Sequence, residues 1–191
     1  MYTLVSGPSG DLLQIEAIRG QCNFLPGEID FDDRLMLCGK AAAGGVEDYL
    51  GCALLTQTWE GTFPALDRDL RLRIEKGPNI AVTGVSVMVA GTYQVLAPSD
   101  YAARKISAHL SIVRAAQGVS WPAADQDEDA YRVTFSCGFS GTASGVPVAI
   151  VQAALMMAAD LFTNSEASRS VNVQDNPAVL RLLNQFRAPS L

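Results

Sequence analysis

The chain has 191 residues, 49% of them apolar and 18% charged, which supplies the core of one ordinary domain or of a compact core with an elaboration and excludes wholesale disorder. Acids outnumber bases 20 to 14, and the net charge of −6 argues against clamping phosphate backbones by counterion release. The single histidine, His109, cannot build a two-imidazole metal centre within one chain. Cys22, Cys38, Cys52 and Cys137 form no C-x-x-C pair and read as reduced, mostly buried thiols. Met1-Tyr2-Thr3-Leu4 has no basic leader, and the most apolar window, Val146 to Phe162, is interrupted by Gln152 and Asp160. A soluble, intracellular protein without a membrane partner is expected.

Charge is unevenly spread. Residues 1–60 carry nine acids against three bases, and 61–120 carry four against seven. Residues 121–164 carry five against one, and 165–191 two against three. Such asymmetry suits faces that meet head to side in an oligomer, or an unevenly decorated solvated surface.

In chain order, Ser9 or Asp11 can cap a short helix through about Gln21, with Leu12, Ile15 and Ile18 at threefold spacing. Pro26-Gly27 breaks the chain, and a second helix starts near Asp30–Asp33, where carboxylates favour the positive end of the macrodipole. Its apolar positions are Leu35, Cys38, Ala42 and Tyr49, flanked by Val46 and Leu50. Gly39, Gly44 and Gly45 inside it, each costing about 1 kcal/mol against alanine, imply a closely packed neighbouring helix. From Leu54 to Phe139 short alternating runs take over: 56–59, 70–74, 85–89, 93–96, 109–113 and 131–135. Turn residues such as Gly77-Pro78, Gly91, Pro98 and Pro122 separate them, and together they read as an antiparallel sheet. Pro147 then opens a helix with a broad stripe of Ile150, Val151, Ala154, Leu155, Ala158 and Phe162. Asn164 to Gln174 is polar and aperiodic, a flexible link, and Asn176-Pro177 starts a last short helix to about Arg187.

No chemical motif is complete. Gly138-Phe139-Ser140-Gly141-Thr142 ends in threonine where a nucleophile elbow needs glycine, and the only base on offer, His109, lies in an apolar strand. Asp125, Asp127 and Asp129 match the start of a calcium loop, but Ala130 and Ser136 stand where glycine and the bidentate glutamate belong. Gly39-Lys40 lacks the rest of a phosphate loop, and Asp32-Asp33 do not converge on one helix face. No catalytic residue, metal or cofactor is assigned, which favours an interaction protein over an enzyme.

Val46-Glu47, followed by Gly51-Cys52-Ala53-Leu54-Leu55-Thr56-Gln57-Thr58-Trp59, resembles the helix-to-strand segment of the head–tail connector (adaptor, or head-completion) proteins of tailed phages. That family carries a pattern close to V-E-x-x-T-G-R-A-L-I-T-Q-T-W; Leu50 stands for its threonine and Cys52 for its arginine. Ile15 to Cys22 is similar to the family's first helix, often L-A-E-V-K-A-H-C. Pro98–Tyr101, Gly118–Pro122 and Val133–Phe139 resemble its sheet insertion, and Val146-Pro147 with the stripe after it resembles its last core helix. The likeness runs over about residues 12–187.

The resemblance implies an α+β fold: a small core of about three helices (1–53 and 140–163), an antiparallel β-rich insertion (54–139), and a C-terminal link and helical arm (164–191). It implies a homo-oligomeric ring, typically of about twelve copies, made in the bacterial cytoplasm and seated in the neck of a virion or phage-like particle. Its partners would be the portal protein on one side and a stopper or tail-side connector on the other, with DNA passing through without sequence-specific binding. A net charge of −6 and no basic stripe interleaved with aromatics fit a channel that does not grip DNA; a hidden basic patch would have to come from Arg68, Arg71, Arg73, Lys76, Arg104 and Lys105. Phages, prophages and gene transfer agents all use such parts.

The arm sharpens the expectation. A helix of about eleven residues is marginal alone, so the stripe of Leu180, Leu183 and Phe186 needs a partner, either the protein's own core or a groove on another protein. The resemblance favours the second, with Pro177, Leu180, Arg181, Leu183, Phe186 and Arg187 binding portal and the two arginines pairing portal carboxylates. The rival reading is a ligand- or carbohydrate-binding β module on a helical scaffold, which would need Trp59 or Trp121 exposed rather than packed in the sheet.

Overall fold

The computed structural model describes residues 1–25, 27–164 and 176–187. The expected link lies outside the described residues except for Asn164. The chain divides into two compact units, one of Met1–Gly7 with Thr56–Gly138 and one of Pro8–Leu55 with Phe139–Leu191.

The second unit is helical. α1 (Ile15–Gln21), α2 (Asp32–Leu50), α3 (Val148–Thr163) and α4 (Pro177–Leu183, continued by a 3-10 turn through Phe186) close around one aliphatic core. α1 is shorter than its spacing predicts. It starts after Gln14 without a side-chain cap, so neither Ser9 nor Asp11 caps it. Asp11 instead pairs with Lys40 at 3.6 Å, and Leu12 and Leu13 enter the core from the segment ahead of the helix. Arg19 at the end of α1 pairs with Asp32 at the start of α2.

On α2 the buried positions are Leu35, Gly39, Ala42, Val46 and Leu50. A Cβ at Gly39 would stand 2.7 Å from Ile18 Cδ1, so the missing side chain is what lets α1 lie against α2. Gly45 meets Met157 of α3 in the same way at 3.2 Å, whereas Gly44 faces open space. Gly51, at φ +67°, ends α2 in the left-handed cap that favours glycine. Two side-chain bonds fasten the later elements: Glu47 accepts from the Leu54 N–H at 2.7 Å, and Arg34 donates to the Phe162 carbonyl at 3.1 Å.

The first unit is all β, with every ladder pairing between its strands antiparallel among the described residues. β1 (Tyr2–Ser6), β2 (Gln57–Phe63), β4 (Ala81–Val89), β5 (Thr92–Val95) and β8 (Tyr131–Cys137) form a five-stranded sheet in the order β1-β2-β8-β4-β5. β3 (Arg71–Ile74), β6 (Tyr101–Lys105) and β7 (Ser111–Ala115) form a second sheet in the order β3-β7-β6. The single sheet read from the alternation is therefore two, and β1 and β6 have no counterpart among the expected runs. β8 sits centrally and alternates cleanly, burying Tyr131, Val133, Phe135 and Cys137. Tyr2 of β1 meets Phe135 edge-on at 5.9 Å, and its hydroxyl accepts from the Glu75 N–H just after β3 at 2.9 Å. Burial raises the pKa of that phenol despite the Glu75 N–H, which pulls the other way.

Candidate functional site

The expected portal-binding residues lie on α4. Asn176 caps it, its Oδ1 accepting from the Ala178 and Val179 N–H groups at 3.1 and 3.3 Å. The same side chain donates to Asp160 of α3 at 2.9 Å, which fixes where α4 starts. Leu183 is fully buried in the helical core together with Val179, which the expected stripe left out. Leu180 and Phe186 are half-buried, and the Phe186 ring meets Phe139 edge-on at 6.4 Å. Of the two partners open to the stripe, the structure shows the protein's own core. Pro177, Arg181 and Arg187 remain outward, with Arg187 over the Tyr49 ring at 5.3 Å.

The fragments of catalytic motifs do not assemble. Ser140 and His109 belong to different units, and the Ser140 hydroxyl accepts from the Thr142 N–H at 3.2 Å within a turn. His109 precedes β7 rather than lying within it, and burial, then the charge of Lys105, lowers its pKa. Asp125 uses both carboxylate oxygens on the Ala90 and Gly91 N–H groups, at 3.1 and 2.8 Å, and so caps the β4–β5 hairpin instead of opening a calcium loop. No cluster of three metal-ligating side chains occurs among the described residues.

Neither tryptophan is an open platform. Trp121 is half-buried, donates its N–H to the Asp100 carbonyl at 2.9 Å and packs on Tyr131. Trp59 is half-buried beneath the Lys76 ammonium, 4.3 Å from its ring centroid.

One basic surface gathers Arg71, Arg73 and Arg104, three of the residues named for a hidden basic patch, and adds Arg114, which was not among them. In the three-stranded sheet Arg71 lies opposite Arg114, and Arg114 opposite Ala102. Two residues along, Arg73 lies opposite Ile112, and Ile112 opposite Arg104. The alternate positions Leu72, Ile74, Ser111 and Val113 are buried, so four arginines share the outward face. Arg71 is paired with Asp67 and Asp69, and Arg73 with Glu75. Arg104 and Arg114 carry no ion pair among the described residues. Burial alone would raise the Asp67 carboxyl, but the Arg71 and Asp69 N–H groups and the Arg71 guanidinium together hold it below the usual range. Strand alternation around Leu72 hinted at this face, but only the register of three strands brings the arginines together.

No protein-family model matches the sequence, and no curated protein matches it. Solved structures do match, over the whole chain. A chain in the neck of an empty gene transfer agent particle, computed with C6 symmetry, aligns with a TM-score of 0.79 at 19% identity, covering 100% of this chain and 97% of that one. A chain in the neck of the native particle, computed with C12 symmetry, aligns with a TM-score of 0.77 at 20% identity and the same coverage. A chain of the native gene transfer agent virion gives 0.76 at 20%, again covering 100% and 97%. From its first strand to its last helix, this chain has the fold of those gene transfer agent proteins.

Proposed function

We propose that the protein is a structural component of the neck of a tailed-phage-like particle, an adaptor that forms a ring between the capsid portal and a stopper or tail-side component. One observation carries this reading: the fold matches neck chains over 100% of this chain and 97% of those chains. The C12 and C6 symmetries of those necks support a ring of about twelve copies around an axial channel through which DNA passes. The net charge of −6 suits a wall that does not hold DNA, and the two packed tryptophans weigh against the ligand-binding alternative. With Leu183 in the core, contact with portal falls to the outward Pro177, Arg181 and Arg187 and the half-buried Leu180 and Phe186.

The test is particle composition and symmetry. Particles purified from cells carrying this gene, imaged with rotational averaging about the tail axis, should show a ring of this chain directly beneath the capsid vertex. Its absence from the purified particles by mass spectrometry would overturn the proposal.

A further inference from the structure

The arginine face is unevenly compensated. Arg114 lies directly across the ladder from Arg71, whose own charge is met by Asp67 and Asp69, while Arg114 and Arg104 have no such partner among the described residues. In the turn ahead of β3, next to Arg71 in the chain, Leu70 takes φ +58°, a left-handed backbone that disfavours a branched side chain, and is 69% exposed. Glycine or asparagine would relieve that strain, so a leucine held there presents its side chain outward at the expense of the fold. Ile106, following β6, is 50% exposed. The face is therefore basic and apolar together, with Arg104 and Arg114 free to pair.

Its complement is in the helical unit. Leu25 and Ile29 are 68% and 62% exposed, Phe31 is exposed too, and Glu28, Asp30 and Asp33 stand exposed among them. Asp32 is taken by Arg19 and Glu28 by the Leu25 N–H, which leaves Asp30 and Asp33 without ion pairs among the described residues. The other acidic run, 125–129, has no large exposed apolar residue.

We infer that the face formed by Leu70, Arg104, Ile106 and Arg114 of one copy receives the acidic and apolar segment around Ile29, Asp30 and Asp33 of the next copy, a head-to-tail contact that repeats around a ring. This rests on the ring reading proposed above. Two free arginines meet two free carboxylates, and the exposed leucine and isoleucine on each side leave water together. Duplex DNA fits less well, because Asp67, Asp69 and Glu75 already neutralise half of the arginines and a phosphate backbone offers nothing to Leu70 or Ile106.

The experiment uses the full chain, with self-association followed by sedimentation velocity over a concentration and salt series. Arg104→Glu with Arg114→Glu should weaken association at least tenfold, and adding Asp30→Lys with Asp33→Lys should restore it. Leu70→Gly should raise the melting temperature while weakening association, a divergence that general misfolding cannot produce. Zero-length carbodiimide coupling of the Arg104→Lys/Arg114→Lys variant, in a mixture of light and heavy-isotope chains, should join the amine introduced at position 104 or 114 to the 28–33 peptide between isotopes. An Arg104→Glu/Arg114→Glu variant that assembles as well as the wild type would overturn this interface and leave the ring reading standing. A wild-type chain that stays monomeric at every concentration, with no mixed-isotope links in the Arg104→Lys/Arg114→Lys variant, would count against both. Salt-sensitive binding to a duplex oligonucleotide, lost in the reversed variant whose assembly is intact, would assign the face to nucleic acid instead.

Discussion

The helical and β units use the same kind of apolar residues under different rules. In the helical unit each long element carries its own stripe: Leu35, Ala42, Val46 and Leu50 follow one another on α2, and Ile150, Ala154 and Ala158 on α3. In the β unit no strand contains its own explanation. Trp59 of β2 is flanked by Leu4 on one side and Phe135 on the other, residues far away in sequence. A helix fixes its hydrogen bonds locally, whereas a strand leaves half of its structure to whichever neighbour arrives. The helical unit therefore stands or falls by single core positions, and the β unit by the turns and edges that set register.

The largest effect should come from breaking the helical core at its last element. Leu183→Asp places an unpaired charge where no water reaches and should destabilise that unit by about 4 kcal/mol or more. Truncation after Thr163 should act in the same direction. Both tryptophans belong to the β unit, so far-UV circular dichroism at the helical minimum should lose its midpoint in Leu183→Asp by more than tryptophan emission does. Coincident loss of both signals would show that the units melt as one.

A turn in the β unit should respond less. Asp125→Ala frees the Ala90 and Gly91 N–H groups at the β4–β5 hairpin and should cost about 1 kcal/mol in chemical denaturation. Added calcium should leave the wild-type midpoint unchanged. The same hairpin offers a gain: Ala90 sits at φ +50°, so Ala90→Asn should stabilise by about 0.5 kcal/mol. An unchanged or lower midpoint would mean that the turn's strain is not set by that residue.

The smallest effect is the pH response of His109. Its folded-state pKa is lowered, first by burial and then by Lys105, so the stability it contributes is complete above its ordinary value near 6.5. That contribution declines as pH drops from there through the folded-state value, and levels off below it. Between pH 7.5 and 5.5 the fall in melting temperature should be shallower in His109→Gln, whose side chain cannot charge. Equal slopes would exclude the imidazole as the source.

Helix positions, the close packing at Gly39 and six of the eight described strands were legible in the sequence, because each follows from a local period or a turn residue. The division into two sheets was not. Leu70 to Ile74 alternates in the same way whichever sheet it joins, and β1 and β6 expose four of their five residues each, so they carry little apolar signal. The start of α1 is hidden in the sequence because Leu12 continues its threefold spacing while belonging to the bend ahead of the helix. At α4 the apolar stripe was legible, but a stripe states only that a partner exists. The arginine face needed three strands in register, and no window of sequence contains that.

The first strand has a consequence for how the molecule is made. β1 pairs with β2, yet α1 and the long α2 lie between them in the chain. On a ribosome the leading residues must wait, unpaired, until two helices and the turn at Gly51 have emerged. The helical unit waits in turn, because α3 and α4 are synthesised only after all the strands. Neither unit can finish before the other has begun, so each depends on a chain segment held open while the other assembles. Cutting out residues 56–138 as a separate piece would leave Tyr2 and its neighbours behind and strip the five-stranded sheet of one border. An excised β unit in which Ser6 is joined to Gln57 through a short turn would turn that distant pairing into a hairpin, and should form the same sheet faster than the full chain does.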